Sequence, residues 1–415
     1  MSRAWMAVVA LSATGWAQGV VIENATIHTL GPKGSLNNAS IWIEGKKIRA
    51  VGEKLDVPAN VTRIDGKGGV VTPGLFDAYS FLGTMEIPSI GVTNDTDSAN
   101  KDVTASLDVA LAYNRESTLV PINRVEGLTR VLTAPRSNEG LFSGSASVVQ
   151  LGDAGSPIVA SKAAMLLELG ERASDLAGGS RAAAIVKVRQ ALADARDYFA
   201  HTGDYQQGRR RKYELSTADL EALVPAILGK IPVLVRAERA ADIDATLRLV
   251  RDFPAIRWIL LGASEGWMRA KEIAAAKVPV VMFPLVNNPY KFEQLGSSLE
   301  NAARLYRAGV ILAFTRDDEP HNDRALRFAV GNAVAYGLPW IEGLRGLTAN
   351  PAKIYGSQDA GTLEPGKTAD VVLWSGDPLD VTSMAQKVWI AGMEQPTVTR
   401  QTLLRDRYRI VPVAR

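Results

Sequence analysis

The chain has 415 residues, 47% of them hydrophobic and 22% charged, which fits a globular protein with one large domain and a smaller one. Its formal net charge is only +3, so composition indicates neither a nucleic-acid-binding nor a membrane-binding surface. It contains no cysteine, which excludes disulfides and thiolate metal ligands.

Residues 1–17 have the pattern of an export signal. Arg3 gives a positively charged start, residues 6–13 form a short apolar run, and residues 15–17 (GWA) place small side chains at the two positions that a signal peptidase reads. The apolar run is too short to span a bilayer. We therefore expect cleavage after Ala17 and an exported protein, periplasmic or secreted. A buried N-terminal strand or helix is the alternative.

Two β-rich blocks flank the long middle of the chain. Strands are predicted at residues 20–29, 39–43, 47–51, 369–374 and 387–390. A turn at residues 44–46 (EGK) joins the second and third of these as a hairpin. We expect the two blocks, residues 18–70 and 360–415, to build one small β-sandwich together.

The middle of the chain, residues 71–359, alternates strand-like and helix-like segments. This alternation predicts a parallel sheet with helical crossovers. Buried strands are predicted at residues 69–76, 130–133, 146–151, 231–235, 256–261, 278–283 and 309–314. A closed (β/α)8 barrel needs about one strand more, and this strand must lie between residues 153 and 207. Helices are predicted at residues 179–198, 216–228, 240–251, 264–276, 297–308, 321–336 and 340–349, with N-caps that include Ser216 and Ser264.

Residues 71–83 (VTPGLFDAYSFLG) resemble the first barrel strand of the amidohydrolase superfamily, which ends in Pro-Gly-apolar-Asp-x-His-x-His. Residues 349–353 (ANPAK), 361–370 (GTLEPGKTAD) and 376–379 (GDPL) resemble the closing signature of the same superfamily. The resemblance covers nearly all of the chain after the export signal. It implies a TIM-type (β/α)8 barrel with a small β-sandwich built from both termini.

Two further segments place the resemblance within the imidazolonepropionase-like branch. Residues 233–237 (VLVRA) with 241–243 (ADI) resemble strand five, and residues 313–317 (AFTRD) resemble the end of strand eight. The resemblance implies an enzyme that hydrolyses C–N bonds other than peptide bonds. In such enzymes one or two divalent metals, such as zinc, activate water, and an aspartate on strand eight acts as the base.

The positions that the resemblance assigns to metal ligands hold other residues in this chain. The two histidines of strand one are replaced by Tyr79 and Phe81, and the ligand of strand five is replaced by Arg236. A phenyl ring cannot coordinate a metal, and a guanidinium has a permanent positive charge and no free lone pair. We therefore expect no ordinary metal centre and no bound cofactor, although the strand-eight aspartate is retained as Asp317.

Charge predicts what stands in place of the metal. A partly buried Asp317 without a cation would be costly, so we expect Arg236, helped by Arg316, to pair with it. The alternatives are that each arginine extends to solvent separately, or that residues 317–319 (DDE) hold a hard cation through oxygen atoms. The candidate site residues are Asp317, Arg236 and Arg316 for catalysis, and Tyr79, Glu265 and His321 for substrate binding.

Two functions remain open at this point. The first is a catalytically impaired or inactive homologue that acts as a partner subunit of an active amidohydrolase or as a ligand-binding protein. The second is an active amidohydrolase for cyclic or acylated amides, in which Asp317 acts as the base with an unusual or weakly bound metal, or with an arginine that stabilises the oxyanion. The expected partners are a small amide-like molecule, an active homologue or a second copy of the chain, and neither nucleic acid nor membrane.

Overall fold

The computed structural model describes residues 19–316 and 319–409. The predicted export signal and the predicted base Asp317 therefore lie outside the described residues. The strands of the described residues are β1 (Val20–His28), β2 (Ser35–Glu44), β3 (Lys47–Gly52), β4 (Thr62–Asp65), β5 (Val70–Pro73), β6 (Leu75–Ser80), β7 (Leu128–Thr133), β8 (Phe142–Gln150), β9 (Ile158–Glu168), β10 (Pro232–Ala237), β11 (Arg257–Gly262), β12 (Val280–Met282), β13 (Leu312–Phe314), β14 (Val371–Trp374), β15 (Ala385–Ile390) and β16 (Met393–Glu394).

The helices lie mostly between the strands of the middle region. They are α1 (Leu119–Arg124), α2 (Glu171–Leu176), α3 (Arg181–Ala200), α4 (Thr202–Gln206), α5 (Thr217–Ile227), α6 (Ala240–Asp252), α7 (Ala270–Ala275), α8 (Asn301–Arg307), α9 (Leu326–Ala335), α10 (Trp340–Gly346), α11 (Ala349–Ile354) and α12 (Arg400–Tyr408). Short 3-10 helices span Gly91–Thr93, Val109–Ala112, Gly266–Arg269, Phe292–Gln294 and Pro320–Ala325. Across the described part of the chain, no helix combines the length and the apolar character that a membrane crossing requires.

Strands β6 to β13 form one eight-stranded sheet in which each strand pairs with the next along the chain. The first and last strands, β6 and β13, lie side by side, so the sheet is nearly closed into a barrel. Strands such as β7 and β10 are buried along almost their whole length because the barrel interior covers one face and helices cover the other. The predicted α/β class, a TIM-type barrel beside a separate β domain, is confirmed.

The strand that the sequence pattern left unplaced is β9, which lies within the predicted interval of residues 153–207. One prediction for the barrel is wrong: β8 runs antiparallel to both β7 and β9, so the sheet is not entirely parallel. The connections at residues 134–141 and 151–157 explain this. A parallel crossover needs about a dozen residues or more, and both connections are shorter than that.

Strands from both ends of the described chain form the second sheet. Its order is β16-β15-β14-β5-β1-β2-β3, and β4 pairs with β1 on a branch. Its core contains isoleucines of β1 and β2 together with Val371 and Trp389 from the end of the chain. Because β5 leads directly into β6, this sheet fixes the chain at the bottom of the barrel.

The helix starts were predicted with mixed success. Ser216 does cap α5, since its hydroxyl accepts a hydrogen bond from the Asp219 amide. The prediction for Ser264 is wrong, because its hydroxyl donates to the Glu238 carboxylate instead and a 3-10 helix begins two residues later. A tertiary contact with a buried acid has replaced the local capping interaction.

Candidate functional site

The candidate site lies where the barrel strands reach their C-terminal ends, the face on which barrels of this type carry their active sites. Tyr79 lies near the end of β6, Glu168 ends β9, and Arg236 lies near the end of β10. Glu238 follows β10 directly. The sheet brings these side chains together from positions that are far apart in sequence.

Tyr79 and Phe81 occupy the strand-one positions at which the resemblance places histidines. Both side chains are buried, and their rings meet edge to face with centroids 5.3 Å apart. The Tyr79 amide donates to Asp77 Oδ1 at 3.0 Å, and the Thr315 hydroxyl donates to the Tyr79 carbonyl, which ties β6 to the end of β13. The aromatic pair therefore fills the space below the barrel mouth with packed, apolar surface.

Arg236 lies beside this aromatic pair. The centre of its guanidinium is 5.2 Å from the centroid of the Tyr79 ring, a cation–π geometry. Its Nε is 3.8 Å from Glu168 Oε2, and its Nη1 is 3.7 Å from Glu238 Oε1. Only 16% of the side chain is exposed. A fixed positive charge thus lies among carboxylates at a position where the resemblance implies a metal ligand.

Glu168 is one of the two buried acids of this cluster, with Glu238, and sequence reasoning did not identify it. Its Oε1 accepts a hydrogen bond of 3.0 Å from the Gly170 amide. Burial, together with the nearby Glu293, raises the pKa of Glu168 to about 7, although Arg236 and the hydrogen bond from Gly170 oppose the shift. Near neutral pH this side chain can therefore hold or release a proton.

Glu238 is held in place by the segment that follows β11. Its Oε2 accepts hydrogen bonds from the Ser264 amide at 3.1 Å and from the Ser264 hydroxyl at 2.6 Å. Gly262 has a φ of +91°, and a side chain there would collide with the Glu238 carboxylate. The sequence around residue 262 is therefore suited to holding this acid close to the end of β11.

Glu265 and His321 were predicted to bind substrate, and each makes contacts of its own at this end of the barrel. The Glu265 carboxylate accepts from the Ala240 amide at 2.8 Å and from the Gly296 amide at 3.0 Å, so it connects the start of α6 to a mouth loop. His321 lies beside Glu319, with 3.4 Å between Nδ1 and Oε2, and 39% of its side chain is exposed. Their predicted contact with a substrate stays a prediction.

The other two histidines lie away from the site. His28 ends β1, where its Nδ1 lies 2.7 Å from the Ser35 hydroxyl, and burial lowers its pKa against the opposing effect of Asp377. His201 follows α3 and is within 3.1 Å of Asp197. Among residues 19–316 and 319–409, no group of three histidine, aspartate or glutamate side chains is arranged to hold a metal ion.

The side chains of strands one and five do not fit a divalent metal. Zinc and related ions take lone pairs from imidazole, carboxylate or thiolate, and Phe81 and Arg236 offer none. The Arg236 charge would also repel a cation at contact distance. The predicted pairing of Arg236, helped by Arg316, with Asp317 stays a prediction, because Asp317 is outside the described residues.

A cavity of about 440 Å³ opens above the cluster. Its lining residues are Arg136, Glu238, Gly262, Ser264, Phe283, Val286, Tyr290, Lys291, Gln294 and Arg316. Two of its arginines lie over aromatic rings, Arg136 at 4.7 Å from the Phe81 centroid and Arg316 at 4.6 Å from the Phe283 centroid. Sequence reasoning missed Arg136, although its position just after β7 is a mouth position and could have revealed it.

Known proteins resemble this chain in sequence and in fold. Residues 261–402 match the model of the amidohydrolase family. The chain is 25% identical to an imidazolonepropionase of Idiomarina loihiensis, with 85% of this chain and 90% of that protein covered. It is 22% identical to the amidohydrolase tasK of Hapsidospora irregularis over 86% of this chain, but it spans only 39% of that longer protein. A solved amidohydrolase structure from Thermotoga maritima superposes with a TM-score of 0.81 at 26% identity, covering 90% of this chain and 99% of the other.

Proposed function

This chain belongs to the amidohydrolase superfamily, in its imidazolonepropionase-like branch. From that premise we propose that it is a metal-independent member that binds a small molecule without hydrolysing it. The observation that carries the proposal is the place of Arg236. Its guanidinium lies over the Tyr79 ring and between two glutamates at the mouth of the barrel.

The charge balance of the cluster supports this proposal. In a metal-dependent barrel the carboxylates at the mouth are balanced by divalent ions. Here Arg236 supplies positive charge to Glu168 and Glu238 permanently, since a guanidinium stays protonated at every physiological pH. The Arg236 side chain thus balances the charge of Glu168 and Glu238, a role that divalent metal ions have in a metal-dependent barrel.

The open cavity favours ligand binding over a purely structural role. It has about the volume of small-molecule sites, and its lining mixes charged and polar side chains with the aromatic and apolar ones of Phe283, Val286 and Tyr290. A partner-subunit role is the second candidate, and large apolar side chains exposed on short 3-10 helices and loops support it. Val92, Leu111, Tyr290 and Phe292 are each more than two-thirds exposed, and such side chains are common at protein interfaces. The partner would be an active amidohydrolase homologue or a second copy of this chain.

Metal content and turnover test the proposal together. Protein purified with and without added zinc or manganese is measured by elemental analysis and assayed on acylated and cyclic amides. We expect less than about one-tenth of an equivalent of metal, because the donors are missing, and no turnover above background. Stoichiometric metal with activity that a chelator removes would contradict the proposal and favour an active enzyme with Asp317 as the base.

A matched pair of variants isolates the contribution of Arg236. The triple variant Tyr79→His, Phe81→His, Arg236→His restores three imidazole donors, and we expect it to bind zinc. The double variant Tyr79→His, Phe81→His keeps the guanidinium, and we expect it to bind zinc at least about tenfold more weakly because the cation remains beside the ion. Equal zinc affinity of the two variants would show that Arg236 does not exclude the metal.

Export is the second part of the proposal. The pattern of residues 1–17 supports cleavage after Ala17 and a periplasmic or secreted mature protein. N-terminal sequencing of the protein recovered from the cells and medium of the source organism tests this, with Gln18 as the expected first residue. Recovery of the intact N-terminus from the cytoplasm alone would contradict export.

A further inference from the structure

Arg136 is an exposed arginine at the mouth of the barrel, on the loop that follows β7. Its guanidinium lies over the Phe81 ring at 4.7 Å from the centroid, and its backbone amide donates to the Thr96 carbonyl at 2.8 Å. A guanidinium stacked on a ring keeps its N–H edge available, and that edge matches the two oxygens of a carboxylate or phosphate. Arg136 is therefore oriented to receive an acidic group from the cavity.

Lys291 contributes a second cation to the same cavity from the loop after β12. Its Nζ lies 3.9 Å from Glu293 Oε1, and half of its side chain is exposed. The Glu293 carboxylate is already held by the Glu171 amide, which donates to Oε2 at 2.7 Å. Lys291 therefore keeps most of its hydrogen-bonding capacity for a ligand.

Part of the remaining lining is suited to the apolar part of a ligand, beside the polar side chains of Ser264, Gln294 and Arg316. Phe283 and Val286 line one side, and Tyr290, which is 84% exposed, lies at the rim. The acid in the lining, Glu238, has its Oε2 engaged twice by Ser264 and its Oε1 facing Arg236. The cavity thus combines accessible positive charge with aromatic surface.

We propose that this cavity binds a small aromatic acid, whose carboxylate or phosphate group is held by Arg136 and Lys291 and whose ring packs against Phe283 and Tyr290. The inference rests on the proposed ligand-binding function and names the chemical class of the ligand. Arg136 fixes the acid, since its guanidinium is oriented by Phe81. The Tyr290 side chain is exposed beside the cavity, so a bound ligand ring would cover it.

Three probes of similar size test the class. Benzoate, phenyl phosphate and the uncharged benzamide are titrated against the purified chain by calorimetry and ligand-observed NMR. We expect benzoate or phenyl phosphate to bind at least about tenfold more tightly than benzamide, since an ionic hydrogen bond contributes more than a neutral one. The stronger of the two acids identifies which acidic group the site prefers.

Three variants locate the site. Arg136→Gln is expected to weaken binding of the preferred acid by about tenfold or more, and Lys291→Gln by about threefold to tenfold. The control is Arg196→Gln, because the Arg196 guanidinium also lies near a ring, 5.6 Å from the Phe253 centroid, but on α3 and outside the cavity. The control is expected to bind like the unaltered protein. Thermal unfolding without ligand checks that all three variants are folded.

The outcomes separate the class of ligand from the proposed function. The inference is overturned if neither acid binds, if benzamide binds as tightly as the acids, or if Arg136→Gln behaves like Arg196→Gln. The proposed function fails on a different result, which is chelator-sensitive hydrolysis of an amide. Tight binding of a neutral compound without turnover would keep the function and reject the acidic ligand.

Discussion

Two arginines of the barrel, the buried Arg130 and the partly exposed Arg236, are each placed between two carboxylates but in very different geometries. At the bottom of the barrel, Arg130 in β7 donates to Asp370 at 2.7 Å and to both oxygens of Asp359 at 3.2 Å. At the mouth, Arg236 lies 3.7 and 3.8 Å from Glu238 and Glu168. These ion pairs are short and directional at the bottom, and longer at the mouth.

This difference in ion-pair geometry indicates a stabilising role for Arg130 and a functional role for the residues around Arg236. Arg130 joins the barrel to the second sheet. Burial alone would lower its pKa, but the charges and hydrogen bonds of Asp370 and Asp359 outweigh burial and raise the pKa. The mouth cluster pairs Arg236 with Glu168 and Glu238 over longer distances, is bordered by a cavity and contains an acid that titrates near neutral pH. A titrating acid beside an open cavity is typical of a functional site.

Replacing Arg130 is expected to have the largest effect. Arg130→Met leaves the buried Asp370 without its cation, and the free energy of unfolding should fall by about 3–5 kcal/mol. Urea unfolding followed by circular dichroism measures this. The control is Arg189→Met, which breaks an exposed pair with Asp252 and should cost less than about 1 kcal/mol. Equal losses in the two variants would remove the structural distinction drawn for Arg130.

Glu168 is expected to make stability depend on pH. The pKa of Glu168 is about 7 in the folded protein and lower in the unfolded chain. Between these two pKa values the folded protein keeps a proton on Glu168 that the unfolded chain releases. The free energy of unfolding should therefore decrease as pH rises from about 4.5 to about 7, by about 1–3 kcal/mol from this group. In Glu168→Gln that slope should be reduced.

The control for this measurement is Glu116→Gln, which alters an exposed acid. Urea unfolding at several pH values from about 5 to about 8, in about half-unit steps, compares the three proteins. Glu116→Gln should keep the slope of the unaltered protein. A slope in Glu168→Gln as steep as in the unaltered protein would place the titrating group elsewhere.

Replacing Arg236 is expected to cost less than replacing Arg130. Arg236→Met at neutral pH should lower the free energy of unfolding by about 1–2 kcal/mol, because the side chain is partly exposed and Glu168 can take up a proton in compensation. The same variant should raise the pH at which the Glu168 contribution disappears, since a cation no longer favours the ionised form. A destabilisation as large as that of Arg130→Met would show that the mouth cluster is structural.

His321 is expected to have the smallest effect. Its contact with Glu319 is exposed, so His321→Gln should change the free energy of unfolding by less than about 0.5 kcal/mol. If the predicted role in substrate binding is right, the variant should still weaken benzoate binding by a measurable factor. Unchanged affinity in the titration would remove His321 from the site.

The sequence predicted the parts of the site that follow from one segment at a time. The two-residue spacing of Tyr79 and Phe81 indicates that both face the same way, and their rings do meet. The place of Arg236 near a strand end followed from the resemblance of residues 233–237. Glu168 was not predicted, because the sequence pattern located its strand only somewhere within residues 153–207 and did not show where that strand ends.

The sequence by itself predicted the superfamily, the alternation that builds the barrel, and residues other than histidine at positions 79, 81 and 236, because each depends on the identity and spacing of neighbouring residues. Only the tertiary structure decided that Arg236 lies between Glu168 and Glu238, that Ser264 holds Glu238 instead of capping a helix, and that Arg136 lies over Phe81 beside a cavity. These contacts join residues from different strands, and their geometry follows from how the closed sheet aligns the strand ends, which no local pattern records.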